Sequence, residues 1–369
     1  MGTESEKEKP VRKIIHCDAD CFFAALEMRE DPSLRNKPIA VGGSEEKRGV
    51  ISTCNYEART YGVHSAMASA HAKRLCPDLI IVPHNMELYR EASNQMREIF
   101  HSYTDLVEPL SMDEAFLDVS DVNHCHGSAT LIAKEIRQRI EDTVNITVSA
   151  GVAPNKFLAK IASDWVKPNG LTVILPEQVD SFVQQLPVKK IYGVGKVTAE
   201  KLKRQGVVTC GDLQKFDEFQ LTRSFGSMGL RLYELARGQD ERKVKSVWRR
   251  KSLSVEHTFP KDLPSLEQCI SQLPSLMQQM QARLRRLDKN YRAVKGFVKV
   301  KFTDFTVTTI ERVGTSISLE DYTSLLAEAF ERGNKPVRLL GVGVRLIDLQ
   351  QDQNQSQLDL FPELAINSV

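Results

Sequence analysis

Apolar and polar positions fall into short, separable patterns along this chain. Residues 11–17 (VRKIIHC) are β-rich and end at Asp18, and 21–29 (CFFAALEMR) read as a helix. Glycines 42, 43, 49 and 62 then break the chain into short strands and turns. Residues 86–103 predict an amphipathic helix, with Leu88, Ala92, Met96, Ile99 and Phe100 at helical spacing. The runs 106–110 and 115–119 are joined by Ser111-Met112-Asp113-Glu114 and predict a hairpin. Residues 128–140 read as a helix and 146–153 as a strand. Strands and helices interleave irregularly here, which predicts an α+β unit with its helices on one face of the sheet.

After Pro176 the pattern turns to short basic helices broken by glycines, and 239–252 (QDERKVKSVWRRKS) is charged without periodicity, as in a linker. Beyond it come a strand at 253–259, a long helix at 263–287, a hairpin of 294–302 and 305–313 about Thr303-Asp304, a helix at 318–331 and a strand at 337–349. That order is the split β-α-β-β-α-β arrangement. Residues 350–369 are rich in Gln, Asn and Asp and read as a disordered tail.

Composition adds little: 369 residues, 41% hydrophobic and 27% charged, exclude collagen-like and low-complexity classes and suffice for two to four domains. Charge adds more. Fifty Lys and Arg against 48 Asp and Glu leave +2, which taken whole argues against a charged partner. Residues 241–350, however, hold 20 basic and 12 acidic side chains, a net of +8, and so suggest a local polyanion contact. Seven cysteines without CxxC spacing read as free thiols in a reducing compartment. His124-Cys125-His126 has no second ligand pair at zinc spacing and reads as a polar loop. Residues 1–10 do not form a signal peptide, and no run approaches the roughly 20 apolar residues of a membrane helix; a cytoplasmic protein is expected.

Asp18 ends a predicted strand and Asp113-Glu114 occupy a hairpin tip. Mg²⁺ is usually held by one or two carboxylates while substrate phosphates complete its shell. Carboxylates on a strand end and a hairpin can build such a site, and a solvated turn is the simpler reading of the same residues. Context decides between them. Asp18 stands in HCDADCFFAALE and Asp113-Glu114 in PLSMDEAFLDVS; GVISTCNYEARTYGVHSAMASAHAKRLCPDL lies between them and SAGVAPNKFLAKIASDWVKPNG follows. These four strings, in this order, closely resemble bacterial members of the Y family of DNA polymerases, and the resemblance runs from about Arg12 to Leu349.

The resemblance implies an α+β, right-hand polymerase. Its palm would be 11–20 and 84–175, its fingers 21–83, and its helical thumb, with a helix-hairpin-helix, 176–240. A linker at 241–252 would lead to a β-α-β-β-α-β little finger at 253–349, flanked by a flexible extension at 1–10 and a tail at 350–369. It implies that Asp18, Asp113, Glu114 and the backbone carbonyl of Ala19 hold two Mg²⁺ ions for attack of a primer 3′-hydroxyl on a dNTP. Tyr56, Arg59, Lys167 and, more weakly, Thr53 would contact the triphosphate, Phe23 would be the steric gate against ribonucleotides, and Ser52 would leave headspace over the nascent pair. Phe22 reads as core.

In the thumb, 187–202 (PVKKIYGVGKVTAEKL) would meet the DNA backbone through Gly193, Gly195 and Lys196, with Lys189 and Lys190 adding charge. Further on, Arg249, Arg250, Lys251, Lys295, Lys299 and Lys301 would contact phosphates. Gln357, Leu358, Leu360 and Phe361, in QLDLF, resemble a bacterial sliding-clamp-binding motif. The whole implies a monomeric, lesion-bypassing, low-fidelity polymerase without proofreading, which binds primer–template DNA and the clamp but no membrane. A two-metal nuclease would not need Phe23 or the triphosphate set, and a non-catalytic damaged-DNA-binding protein would not need the carboxylates.

Overall fold

The computed structural model describes residues 11–247, 249–314 and 318–349. They form two compact units: one of residues up to 247 except 44–50 and 68–70, the other of those two stretches and the residues from 249 onward.

The first unit opens with β1 (Ile14–Ala19) and α1 (Phe22–Glu30). Next come β2 (Ile39–Gly42), β3 (Ile51–Cys54), α2 (Tyr56–Thr60), α3 (Ser69–Leu75) and β4 (Ile80–Val82). The three strands pair in the order β3-β2-β4 over a small core that includes Ile51, Val63 and Leu79. Then α4 (Met86–His101), β5 (Val107–Pro109), β6 (Glu114–Asp118), α5 (Ala129–Val144), β7 (Val148–Ala153), α6 (Lys156–Ser163) and β8 (Leu171–Val173) complete a five-stranded sheet, ordered β5-β6-β1-β7-β8. Helices α4, α5 and α6 each begin on a side-chain cap, from Asn85, Ser128 and Asn155, which satisfies a backbone N–H left open in the first turn. The remaining helices are α7 (Val179–Gln185), α8 (Lys196–Arg204), α9 (Cys210–Leu213), α10 (Glu218–Phe225) and α11 (Ser227–Ala236).

Helices cover both faces of the sheet, not the one expected. Side chains on a strand alternate between faces, and β1 is buried on both. Ile15, Cys17 and Ala19 join the core with α4 and α5, whereas Ile14 packs with Phe116 of β6 and Phe157 of α6. An apolar second face needs a lid, and α6 is that lid. It fits because Gly151 on β7 has no side chain: a Cβ there would lie 2.1 Å from Ala159 O and 2.4 Å from Ser163 N. Those are backbone atoms that cannot step aside. Gly151→Ala is expected to destabilise by about 3 kcal/mol or more, read as a lower melting temperature. A variant melting with wild type would show that α6 does not rest on this glycine.

The second unit contains β9 (Ser252–Leu263), α12 (Leu266–Ile270), α13 (Leu273–Leu284), β10 (Tyr291–Phe302), β11 (Val307–Val313), α14 (Leu319–Gly333) and β12 (Val337–Asp348), in an antiparallel sheet ordered β11-β10-β12-β9. The expected single helix over 263–287 is two. Pro274 stands in the first turn of α13, where its missing N–H is tolerated. Inside a continuous helix it would have cost a hydrogen bond and clashed with the preceding turn.

The stretch expected to be a linker is tied at each end within its own unit. Arg12 donates to the carbonyls of Asp240 and Arg242, the Lys245 N–H donates to Glu108 Oε2 at 2.7 Å, and Val244 is buried. On the other side Arg249 pairs with Asp348 at 3.2 Å, and the Arg250 N–H donates to the Tyr291 hydroxyl.

Candidate active site

Antiparallel register sets Asp18 of β1 directly opposite Glu114 of β6, so two carboxylates far apart in sequence become cross-strand neighbours. Both lie on the sheet face covered by α6, because Ile14, His16 and Asp18 share one parity of β1. His16, Asp18 and Glu114 each place a ligand atom within 4.8 Å of the others. Among the described residues this is the one such trio; His124, Cys125 and His126 occupy a turn and form no cluster of this kind.

Asp113, expected with Asp18 and Glu114, stands beside them by its backbone, since Ala19 N–H donates to its carbonyl at 3.0 Å. Its carboxylate is not one of the clustered ligand groups and accepts the Ser111 hydroxyl at 2.5 Å. Ser111 Oγ in turn accepts the N–H groups of Asp113 and Glu114, which fixes the hairpin tip. Three carboxylates converging on one point repel one another, and a nearby hydroxyl gives Asp113 an alternative partner. Ala19 itself is buried.

Cations hold the other two. Lys167 Nζ lies 2.5 Å from Asp18 Oδ1 and 3.2 Å from Asp164, and Lys160 of α6 pairs with Glu114 Oε2. His16, which sequence reasoning passed over, is fully buried; its Nδ1 meets Ser163 Oγ at 2.8 Å and its Nε2 faces Glu114 Oε2 at 3.2 Å. Burial drives the His16 imidazole down to about 4, so it is neutral at physiological pH. Burial pushes the Asp18 carboxyl up to about 7, more than the Lys167 ammonium pulls it back. For Glu114 the same desolvation acts upward but is overcome by His16 and Lys160, which hold it at about 2. One carboxylate is thus firmly ionised and the other poised. Hard oxygen donors of this kind suit Mg²⁺.

Asp20, two residues past Asp18, does different work. It is buried and its oxygens accept from the Tyr56, Ser149 and Thr147 hydroxyls and from Asn169 N–H. That network positions Tyr56, and Arg59, one turn along α2, lies 4.7 Å over the Tyr56 ring. Thr53 sits on β3, half-buried, beside Ser52, whose hydroxyl meets His84 Nε2 at 2.7 Å. Phe22 is buried, as expected, while Phe23 is half-buried and stacks on Tyr89 at 4.1 Å and 14°. Tyr89 is wholly buried and donates to Glu27 at 2.5 Å, giving Phe23 a rigid backing.

The basic candidates fall into two groups. Gly193 has a φ of +97° that only glycine adopts easily, and Gly195 caps α8 with open space where a side chain would be. Lys189, Lys190 and Lys196 around them are exposed. On the sheet of the second unit, Lys295, Lys299 and Lys301 share the face opposite the helices, yet each has a partner. Lys295 pairs with Glu311, Lys301 lies over the Phe305 ring, and Lys299 reaches Glu256 at 2.9 Å. The last reach crosses Gly341, which lies between them in register and has no side chain to block it. Lys251 is exposed, and its carbonyl accepts Leu346 N–H. Gln357, Leu358, Leu360 and Phe361 lie outside the described residues, as do 1–10.

Residues 17–164 match the impB/mucB/samB family, 250–360 its C-terminal domain, and 189–240 the thumb domain of DNA polymerase-iota. DNA polymerase IV of Ectopseudomonas mendocina (strain ymp) is 63% identical over 350 residues, spanning 95% of this chain and 99% of that protein. DNA polymerase IV of Pseudomonas syringae pv. tomato is 60% identical over 347 residues, spanning 94% and 98%. Among solved structures, the Y-family DNA polymerase chimera Dbh-Dpo4(243-245)-Dbh matches with a TM-score of 0.82 at 30% identity, over 90% of this chain and 98% of that one. With these matches comes the α+β polymerase fold of palm, fingers, thumb and little finger. Identity of this level over nearly full length, joined to that fold, means that the chain belongs to the Y family of DNA polymerases and is a DNA-directed DNA polymerase.

Proposed function

We propose that the enzyme is a lesion-bypassing, low-fidelity polymerase that adds dNMP to a primer 3′-hydroxyl by two-metal phosphoryl transfer, without a proofreading nuclease. The observation that carries the reading is the opposed pair Asp18 and Glu114 on β1 and β6, with Lys167 on Asp18 and Tyr56 held by Asp20 just beyond it. Asp18, Glu114, Asp113 and the Ala19 carbonyl would hold two Mg²⁺ ions, Asp113 by turning from Ser111. Bound there, the ions would lower the pKa of the primer hydroxyl and offset charge on the leaving pyrophosphate. Arg59 presents a fork suited to phosphate oxygens, Lys167 a point charge, and Thr53 a hydroxyl. Phe23 closes the space a ribose 2′-hydroxyl would need. Ser52 on β3, tied to His84, keeps the surface small over the nascent base pair, which favours bulky templates at a cost in fidelity.

The palm is assigned to 11–20 and 84–175, the fingers to 21–83, the thumb to 176–240, the linker to 241–252 and the little finger to 253–349. Gly193, Gly195 and Lys196 would meet one stretch of DNA backbone, and Arg249, Arg250, Lys299 and Lys301 another. Lys299 would exchange Glu256 for a phosphate. Primer extension on a defined template with Mg²⁺ and dNTPs tests the reading; a wild-type chain that does not extend, or an Asp113→Ala chain that extends undiminished, sinks it.

The terminal QLDLF segment supplies Gln357, Leu358, Leu360 and Phe361 to a sliding clamp. Deleting the chain from Gln357 onward is expected to cut clamp-stimulated synthesis about tenfold or more while sparing distributive synthesis, since a tether raises effective concentration without touching chemistry. Equal losses in both assays would assign the tail to folding instead. The enzyme is taken as cytoplasmic and monomeric; all seven cysteines are free, as a reducing compartment keeps them, and among the described residues no helix is long and apolar enough to cross a membrane.

A further inference from the structure

Two lysines one turn apart on α6 reach across to two glutamates on the β5–β6 hairpin. Their chemistry is the same and their surroundings differ. Lys156 is buried, lies 2.6 Å from Glu108 Oε2, reaches the Lys243 carbonyl at 3.4 Å and sits 5.0 Å over the Phe116 ring. Glu108 Oε2 takes the Lys245 N–H as well. That pair is closed, and it fastens the chain after α11 to the sheet. Lys160 is partly exposed, and Glu114 is the one hydrogen-bond partner of its ammonium among the described residues. It also lines a cavity of about 310 Å³.

The walls of that cavity are cationic. Its two carboxylates, Glu108 and Asp164, already face Lys156 and Lys167. Arg242 is held by Asp240, whereas Lys189 and Lys190, on the approach to Gly193, have no ion-pair partner among the described residues. A divalent ion at Glu114 and the Lys160 ammonium compete for the same carboxylate. Displaced, the ammonium can swing on its four-carbon stem into a space that already favours an anion. The anion next to a primer 3′-hydroxyl is the phosphodiester behind it.

We propose that Lys160 is a positioning residue with two successive partners: it holds Glu114 until a divalent ion takes the carboxylate, then turns to a phosphate near the primer end, so that seating the ion and seating the primer are linked. The proposal rests on the two-metal reading of this carboxylate site.

Two measurements on the full chain test it. Mn²⁺ binding without nucleic acid, followed by the electron paramagnetic resonance of the free ion, should be several-fold tighter for Lys160→Gln, in which no ammonium competes. Primer–template affinity is then measured with a neutral methylphosphonate placed in turn at each of the last few primer linkages. One such substitution should weaken wild type about tenfold, the worth of one charge-assisted contact, and weaken Lys160→Gln no further. Lys160→Arg should restore that sensitivity. Unchanged Mn²⁺ affinity in Lys160→Gln, or an undiminished methylphosphonate penalty, overturns the proposal, since a lysine that only supports the fold would give both. Mn²⁺ binding by Glu114→Gln equal to wild type would instead remove the carboxylate site, and the two-metal reading with it.

Discussion

Asp18→Asn is expected to lower primer extension by roughly 10³-fold or more, equivalent to about 4 kcal/mol of barrier, while leaving the fold intact. The amide keeps the shape of the side chain but gives up the charge that a divalent ion requires. Stability should not fall with activity, because Asp18 is ionised at a cost. Burial raises its folded pKa to about 7 from an ordinary unfolded value, so its contribution to stability is fullest below the unfolded pKa and is lost as pH rises through about 7. Asn has no such loss, and Lys167 keeps Asp164 as a partner.

The contrasting variant is Asp20→Asn. Both Asp20 oxygens accept two donors each; Asn169 N–H can only donate, so an amide would keep its oxygen there and its nitrogen would force the Tyr56 and Ser149 hydroxyls, now donating, to accept. That substitution should lower the melting temperature as well as activity. If Asp18→Asn melts early, or retains extension near the wild-type level, the assignment of Asp18 to the chemistry fails. The same carboxyl sets a pH dependence. Below about pH 7 a divalent ion must displace a proton from Asp18, so metal affinity should weaken by up to about tenfold per pH unit on the acid side and level off above it. Affinity that is flat from pH 5.5 to 8 would contradict this.

Phe23→Val is expected to raise ribonucleotide incorporation about 10²-fold relative to deoxyribonucleotides, a change of about 2.7 kcal/mol in discrimination. A wall excludes a hydroxyl only if it cannot yield. Here the ring is stacked on Tyr89, which is itself buried and held by Glu27. Shortening the side chain opens space without moving that backing, so dNTP incorporation should change only a few-fold. Steady-state incorporation of a matched rNTP and dNTP reads the ratio directly. An unchanged ratio would place sugar selection elsewhere.

Much of this site was legible from local sequence. The strand before Asp18 and the hairpin carrying Asp113 and Glu114 are each encoded by residues within a few positions of one another, whereas the short helix bearing Tyr56 and Arg59 lies in a stretch that reads as strands and turns. Where local signals compete, the reading slipped. Apolar spacing alone extended one helix through Pro274, although the proline restarts it. The β-rich run of β1 reads as a strand, but nothing in it says that both faces are buried, so α6 is not placed as a cover.

The sequence by itself determined the family, the order of the main strands and long helices, and the candidacy of Asp18, Asp113 and Glu114, because periodicity, turn chemistry and long motifs are local properties. Only the tertiary structure decided what surrounds those carboxylates. His16 and Lys160 meet Glu114, and Asp113 turns to Ser111, through strand register and the seating of α6 on Gly151. Lys299 finds Glu256 because a glycine of a third strand lies between them. Such contacts depend on how segments far apart in the chain align. A single-residue slip in register would exchange every one of them, and no local pattern records that alignment.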